Sequence, residues 1–210
     1  MQREILLVRH GEAYNSLEPD GRREVRDPSN PPLTPLGEEQ AAAAAREVAL
    51  FAPDAVVVSP FLRTAQTAFA YLGPAGAVGE ADPRMSEFFA FEPLAGFAGV
   101  DLADYAARFG DALRVDADLA DLARFPVYPE SDDELAARGA AVAADWLARD
   151  DWTRVAFFAH WATVVAVAQA LDPTLSFEPG HCSLTRLVER APGQWEAVSI
   201  NQVDHLARIG

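Results

Sequence analysis

The stretch Ile5-Leu6-Leu7-Val8-Arg9-His10-Gly11-Glu12 joins a short apolar run to a polar end. The apolar, partly β-branched residues predict a strand that is buried on both faces. Its carboxyl end is the edge where open α/β sheets build their sites. A neutral imidazole there can attack an electrophile, a guanidinium can hold an anion, and glycine lets the backbone approach closely. Phosphoryl transfer through a phosphohistidine would use all three groups. The alternative is that Arg9 and His10 only end a strand at the surface.

The composition indicates a globular protein, because half of the 210 residues are hydrophobic and can form a substantial core. No apolar run approaches the roughly 20 residues of a membrane span, and the amino-terminal residues carry no signal-like segment. The single cysteine, Cys182, excludes an intrachain disulfide and fits a reducing compartment. We therefore expect a cytoplasmic protein.

The charge restricts the partners that this chain can bind. The formal net charge is -15, and all 17 basic residues are arginine. Such a field repels nucleic acid and acidic membranes, so we expect neither as a partner. The absence of lysine excludes Schiff-base chemistry. An acidic protein that binds an anion must also concentrate its few cations in one place.

Two further stretches repeat the pattern of a buried strand that ends in polar groups. Residues Ala55 to Val58 predict a second strand, followed by Ser59 as a helix cap and by Arg63 in the first helical turn. Residues Arg154 to Ala159 predict a third strand, which ends in His160. The ends of parallel strands lie at one edge of a sheet. The sequence therefore predicts that two arginines and two histidines converge there.

The alternation of strand and helix patterns predicts an α/β fold with a mostly parallel central sheet. We expect one domain over residues 1–210, with a less regular helical insertion or lid at about 84–130. A long polar loop is expected over 13–36. Further helices are predicted from Thr34 as N-cap to Leu50, over Leu102 to Phe109, from Glu130 to Arg149 with Ser131 as cap, and over Trp161 to Leu171. The last strands are predicted over Ser183 to Glu189 and Trp195 to Asn201.

Four blocks, in the right order, resemble blocks of the histidine phosphatase superfamily, which has the phosphoglycerate mutase-like fold. The matching blocks are Leu7-Val8-Arg9-His10-Gly11-Glu12, the segment 32–41 (similar to LT.G..QA), Ser59-Pro60 with Arg63, Gln66, Thr67 and Ala68 (similar to SP..R..QTA), and Phe157-Phe158-Ala159-His160. The resemblance runs from residue 5 to residue 206 and covers 84–130 least. It implies a three-layer α/β/α architecture for the predicted α/β fold.

The resemblance also implies residue roles. His10 would be the nucleophile that becomes phosphorylated, and Arg9, Arg63 and His160 would bind the transferring phosphate. The two guanidinium groups would keep His10 neutral by lowering its pKa. No metal and no cofactor would be needed, since these groups supply the positive charge.

Glu87 matches the proton donor of one branch of the family. The other branch places an aspartate directly after the second histidine, where this chain has Trp161. Glu92 is the fallback. An acid that works near neutral pH needs a raised pKa, and we expect the apolar setting of Phe88 and Phe89, together with the substrate phosphate, to raise the pKa of Glu87.

Two departures from the family pattern concern substrate binding. Family members often carry an asparagine six residues after the nucleophile, whereas Asn15 comes five residues after His10. We keep Asn15 as a phosphate ligand. The second histidine is usually followed by glycine, and Trp161 could either stack on a substrate or belong to the core. His181 and His205 are expected to be structural.

The function that follows is a phosphoric monoester hydrolase that acts on a small phosphorylated metabolite through a phosphohistidine. A phosphoglycerate mutase is the alternative, although residues 88–99 contain no arginine to hold the substrate carboxylate. A non-catalytic module that binds a phosphate ligand is the second alternative, and a metal-dependent hydrolase using the four histidines is a further one. The sequence leaves open whether the chain acts alone or as a homodimer.

Overall fold

The computed structural model describes residues 2–16, 25 and 27–209, and its centre is a mixed β-sheet. Within these residues seven strands lie in the order β4-β3-β2-β5-β1-β6-β7. The strands are β1 Glu4–Arg9, β2 Ala55–Val58, β3 Gly79–Ala81, β4 Leu113–Arg114, β5 Arg154–Ala159, β6 Leu184–Ala191 and β7 Gln194–Gln202. The helices are α1 Pro35–Phe51, α2 Leu62–Ala75, α3 Leu102–Phe109, α4 Asp132–Leu147 and α5 Trp161–Leu171.

The register of the sheet places the three predicted strand ends side by side. Strand β5 runs parallel to both of its neighbours, with Ala159 opposite Arg9 of β1 and Phe158 opposite Val58 of β2. Strands β3 and β4 continue the parallel part, whereas β6 and β7 add an antiparallel hairpin. The predicted mostly parallel α/β sheet is confirmed, and the predicted C-terminal hairpin is present.

The apolar side chains of β1 alternate between two cores, which makes the fold three-layered. Leu6 and Val8 pack in a cluster with residues of α1, α2 and α3, while Ile5 and Leu7 pack in a second cluster with residues of α4 and α5. Successive side chains of a strand point to opposite faces of the sheet. A continuous apolar run is therefore required in β1, because both of its faces are covered.

Two helix starts were predicted correctly from capping residues. Thr34 precedes α1, and its side chain accepts a hydrogen bond from the amide of Gly37 at 3.0 Å. Ser131 precedes α4 and forms a capping box with Glu134. Such caps satisfy amide groups that have no partner within the helix. The predicted ends of these helices agree with the structure to within two residues.

The prediction that Ser59 caps the next helix is wrong. Helix α2 begins at Leu62, and its N-cap residue is Phe61, whose side chain makes no capping hydrogen bond. The Oγ atom of Ser59 instead lies 2.8 Å from Nε2 of His160. A short hydroxyl side chain at a strand end can reach a neighbouring strand end as readily as a helix start. Here the Ser59 hydroxyl forms a hydrogen bond with the ring of His160.

The segment 84–130 contains α3 as predicted, several short 3-10 helices and the edge strand β4. Its residues Phe89, Phe97, Tyr105 and Phe109 belong to the same core cluster as β2 and α2. The segment therefore packs on the sheet through aromatic residues, and its movement as a lid stays a prediction. Of the predicted loop over 13–36, residues 17–24 and 26 lie outside the described residues.

None of the helices in the described residues combines the length and the apolar composition that crossing a bilayer requires.

The start of α1 approaches the chain segment after β1 very closely at Gly37. A Cβ atom added to Gly37 would lie 1.9 Å from the backbone oxygen of Glu12 and within 3.0 Å of its amide nitrogen. Real Cβ atoms do not approach backbone atoms so closely, so the helix or the segment would have to shift. Glycine at this position thus sets the distance between α1 and the residues that follow His10.

We predict that Gly37→Ala lowers the free energy of unfolding by about 3 kcal/mol, because a rigid backbone contact must open. Gly96→Ala is the matched control, since a Cβ atom there would meet no atom within 4 Å. Urea unfolding of both variants measures the difference. Equal stability of the two variants would contradict the close packing of Gly37.

Candidate active site

Three buried polar side chains follow the adjacent strand ends. His10 comes directly after β1, His160 directly after β5, and Arg63 lies in the first turn of α2 after β2. Their exposed fractions are 1%, 0% and 1%. Buried ionisable groups are rare unless they are paired or functional. The structure thus brings together at one sheet edge three groups that the sequence predicted to converge.

Arg63 lies at the centre of this cluster. Its Nε atom donates to Nε2 of His10 at 3.3 Å, and its Nη2 atom donates to Oε2 of Glu87 at 3.1 Å. The same Nη2 atom lies 3.1 Å from Nδ1 of His160. One guanidinium group therefore contacts both histidines and the carboxylate. Its position early in α2, unfavourable beside the positive end of a helix, is compensated by the charge of Glu87.

Glu87, and not Glu92, is the carboxylate in contact with the cluster. The Oε2 atom of Glu87 lies 3.3 Å from Nδ1 of His160 as well as 3.1 Å from Arg63. Glu92 is exposed at the start of the 3-10 helix Glu92–Gly96. Of the two residues considered from the sequence, Glu87 is thus the one that belongs to the cluster, and its role as proton donor stays a prediction.

Arg138 of α4 fixes the backbone that carries Glu87. Its guanidinium donates to the carbonyl oxygens of Arg84, Ser86 and Glu87 at 2.7, 2.9 and 3.3 Å. It also makes two hydrogen bonds of 2.8 Å to the buried carboxylate of Glu130. The five N–H groups of this guanidinium thus all have acceptors. The bidentate pair of Arg138 with Glu130 is geometrically specific, so the guanidinium holds the backbone of residues 84–87 in one place.

Glu130 and Thr163 complete the support of this segment. A carboxylate oxygen of Glu130 accepts a hydrogen bond from the amide of Phe89 at 3.0 Å, and its own amide donates to the carbonyl of Phe89 at 2.9 Å. Thr163 of α5 donates from Oγ1 to the carbonyl of Ser86 at 2.6 Å. The backbone that carries Glu87 is therefore held by hydrogen bonds from side chains of both α4 and α5.

The ring of His10 is oriented by its own chain. Its Nδ1 atom lies 2.7 Å from the carbonyl oxygen of Gly11, an acceptor, so the ring proton belongs on Nδ1. The Nε2 atom is then unprotonated and faces Arg63. Thr67 holds the turn by accepting from the amide of Gly11 at 3.1 Å and donating to the carbonyl of Arg63 at 2.7 Å. The unprotonated Nε2 atom thus has the lone pair that a nucleophile needs, and the role of His10 as nucleophile stays a prediction.

Arg9 adds a second guanidinium to the cluster. Its Nη1 atom donates to the carbonyl of Pro179 at 2.7 Å, and its Nη2 atom lies 3.1 Å from Nε2 of His181. In the described part of the chain, Nε of Arg9 and Nη1 of Arg63 are buried without a hydrogen-bond partner. Buried charged donors are almost always satisfied. Two such free donors therefore indicate the place of an anionic ligand.

Both histidines of the cluster are neutral at physiological pH. Burial, with the positive charge of Arg63, lowers the pKa of His160 to about 4, although Glu87 acts in the opposite direction. Burial and the positive charge of Arg63, with further contributions from His160 and Arg9, hold the pKa of His10 well below its ordinary value of 6.5. The predicted neutral nucleophile thus follows from the geometry, and burial adds to the effect of the guanidinium groups.

The expected raised pKa of Glu87 is not present in the free protein. Burial on its own would raise the pKa of this carboxyl group. The contacts with His160 and Arg63 outweigh burial and hold the pKa well below its ordinary range. The expectation was wrong because burial is outweighed by the contacts of Oε2 of Glu87 with His160 at 3.3 Å and with the Arg63 guanidinium at 3.1 Å. Glu87 is therefore ionised when no substrate is bound.

A cavity of about 410 Å³ opens onto these groups. Its polar end is formed by Arg9, Asn15, Arg63 and Glu87. Trp161 lies in its wall with 44% of its surface exposed, so this ring is not part of the core. The structure thus brings Asn15 and Trp161 to the same cavity as the cluster, while their contacts with a substrate stay predictions.

The three ligand atoms that could hold a metal ion do not fit one. Within the described residues, His10, Glu87 and His160 offer ligand atoms that lie within 4.8 Å of one another. Nitrogen atoms of Arg63 contact all three side chains, so a cation would face a buried positive charge that occupies the space between its ligands. This set therefore favours an anion over a metal.

His181, which the sequence predicts to be structural, lies beside the cluster. Its Nε2 atom accepts from Arg9, and its ring lies 5.9 Å from that of His10. Its neighbour Cys182 donates from its amide to the carbonyl of His10 at 3.1 Å. His205, by contrast, lies 3.0 Å from the carbonyl of Cys182 and outside the cluster. No sequence spacing distinguishes these two histidines.

Comparison with known families gives one match that covers almost the whole chain. The model of the histidine phosphatase superfamily (branch 1) matches residues 5–203. A search of curated proteins finds no sequence that matches this chain.

Solved structures from three organisms are similar to this chain over nearly its whole length. A mycobacterial glucosyl-3-phosphoglycerate phosphatase with VO3 is 24% identical, covers 96% of this chain and 100% of its own, and has a TM-score of 0.69. An Entamoeba histolytica phosphoserine phosphatase with 3-phosphoglyceric acid is 20% identical over 97% and 99%, with a TM-score of 0.66. The Bombix mori ecdysone phosphate phosphatase with tungstate is 19% identical over 96% and 93%, with a TM-score of 0.65. At these identities the similarity shows the fold.

We predict that Arg63→Gln raises the pKa of His10. The positive charge of Arg63 is one of the causes that lower this pKa, so its removal favours the protonated ring. A pH titration of the histidine ring signals by NMR measures the shift. Arg108→Gln is the control, because Arg108 is an exposed cation of α3 that pairs with Asp104. An unchanged titration of His10 in the Arg63 variant would contradict this electrostatic assignment.

Proposed function

The chain belongs to the histidine phosphatase superfamily, branch 1; we propose that it is a phosphoric monoester hydrolase, which hydrolyses a small phosphorylated metabolite through a phosphohistidine at His10. One observation carries the proposal. Two buried guanidinium nitrogens without partners, on Arg9 and Arg63, lie beside a neutral imidazole whose Nε2 atom is free of a proton. A phosphoryl group is the anion that needs both features at once.

The first step forms a bond between Nε2 of His10 and phosphorus and breaks the bond between phosphorus and the ester oxygen. The proton on Nδ1 remains there, and its hydrogen bond to the carbonyl of Gly11 stabilises the positive charge of the phosphorylated ring. Arg9, Arg63 and His160 bind the equatorial oxygens of the transferring group. We propose Asn15, which lines the same cavity, as a further ligand of these oxygens.

Glu87 supplies the proton that the departing alkoxide needs. In the free protein its pKa is low because of the contacts with His160 and Arg63. Substrate phosphate competes with Glu87 for Arg63 and brings negative charge close to the carboxyl group, and both effects raise the pKa. We therefore propose that substrate binding converts Glu87 into an acid.

The second step releases phosphate by hydrolysis. Water attacks phosphorus and Glu87, now a carboxylate, accepts a proton from it, so the bond between nitrogen and phosphorus breaks and His10 returns to its neutral form. No metal takes part, because the guanidinium groups already provide the charge that a metal would supply.

The site supports the two alternative functions considered from the sequence less well than it supports this proposal. A phosphoglycerate mutase must hold a substrate carboxylate, and the segment 88–99 offers Phe91 and Leu94 to the cavity and no arginine. A non-catalytic phosphate-binding module would not need a nucleophile with a fixed tautomer beside a carboxylic acid. The similar structures named above are phosphatases of different phosphorylated compounds, which supports phosphate monoesters in general as substrates.

We predict a covalent phosphohistidine at His10, trapped by rapid quench with radiolabelled substrate as an acid-labile, base-stable adduct. His10→Ala should lose both the adduct and turnover. His205→Ala should keep both, because His205 contacts a backbone carbonyl outside the cluster. An adduct that persists in His10→Ala would refute the assignment.

Glu87→Gln is predicted to lower turnover of alkyl phosphates by about 10² to 10⁴, because their leaving groups need a proton. Aryl phosphates, whose leaving groups depart without one, should lose much less. Glu92→Gln, a substitution at an exposed carboxylate, is the control and should change neither rate. Equal losses on both substrate types would show that Glu87 does not act as the acid.

A further inference from the structure

The cavity above the phosphate-binding cluster has two chemically different ends. Its polar end carries Arg9 and Arg63, each of which has one buried nitrogen without a hydrogen-bond partner. Its other walls are predominantly apolar and are formed by Pro28, Ser29, Pro31, Phe91, Leu94, Trp161 and Ala162. A monoester bound with its phosphate at the polar end must place its alcohol half against these walls.

Two aromatic rings of these walls are exposed although large apolar side chains usually are not. Phe91 exposes 57% of its surface and Trp161 exposes 44%. The backbone of Trp161 is fixed as the first residue of α5, and the ring of Phe91 packs edge-on against Phe88 at 6.1 Å. Phe88 in turn packs against a buried cluster that includes Leu135 and Ala162. Pre-positioned aromatic rings bind apolar groups without first being ordered.

The charges of the described cavity residues also favour a substrate whose alcohol half is uncharged. Arg9 and Arg63, the two cations among these residues, are used by the phosphate. A second anionic group on the alcohol half would find no further cation there and would lose its hydration against apolar walls. An uncharged apolar group would instead exclude water from both rings.

We propose that the substrate is a phosphate monoester of an uncharged, apolar alcohol, which packs against Trp161 and Phe91. The proposal rests on the proposed function for the position of the phosphate, and it adds the class of alcohol. Trp161, in the place where the family pattern usually has glycine, is then a residue that determines specificity.

The test uses alkylphosphonates, which the enzyme cannot hydrolyse, so that binding is read without catalysis. Calorimetry gives the dissociation constants of methylphosphonate, hexylphosphonate and 6-phosphonohexanoate, which ends in a carboxylate. We expect hexylphosphonate to bind at least about tenfold more tightly than methylphosphonate, and the terminal carboxylate to remove this gain. Equal affinity for all three compounds would overturn the proposal.

Substitutions at the two aromatic residues test whether their rings cause the tighter binding of hexylphosphonate. Trp161→Ala and Phe91→Ala should each reduce the ratio of the methylphosphonate to the hexylphosphonate dissociation constant, and their exposed positions make unfolding no obstacle. Leu50→Ala, at an exposed residue near the end of α1 that lines a different cavity, should keep the ratio. An unchanged ratio in both aromatic variants would refute the assignment. Tight hexylphosphonate binding without any phosphohistidine would refute the proposed function and uphold this inference.

Discussion

The contact of the Arg63 guanidinium with His10, Glu87 and His160 is the interaction on which the site depends. A buried guanidinium is costly unless a carboxylate and further hydrogen bonds compensate it. Glu87 provides that compensation in the free protein, and Arg138 holds the backbone of Glu87 where it can do so. In the proposed mechanism substrate phosphate competes with Glu87 for Arg63, so that binding of the substrate also activates the acid.

The fold was largely predictable because its centre is built from strong patterns. The apolar runs of β1, β2 and β5 and the caps Thr34 and Ser131 each indicate one structure, and the parallel register follows from their alternation with helices. Strands β3 and β4 were not predicted. They span three and two residues, too few to show a period, and only pairing at the sheet edge makes them strands.

The sequence predicted which residues form the site better than it predicted their pKa values and contacts. Parallel strand ends meet at one edge, which is why His10, Arg63 and His160 converge although they are far apart in the sequence. The pKa of Glu87 in the free protein was predicted in the wrong direction, because it depends on the distances to His160 and Arg63, which no spacing encodes. The roles of Ser59 and His181 were missed for the same reason, since each acts through a contact with a distant strand end.

The pKa of the Glu87 carboxyl group, followed by NMR with isotope-labelled glutamate, tests most directly whether phosphate and Glu87 compete for Arg63. The free protein should show a pKa below the ordinary value of about 4 for this group. Vanadate, as a mimic of the transferring phosphate, should raise it, while the signal of exposed Glu92 should not move. A pKa of Glu87 that vanadate leaves unchanged, or one already raised in the free protein, would contradict the account.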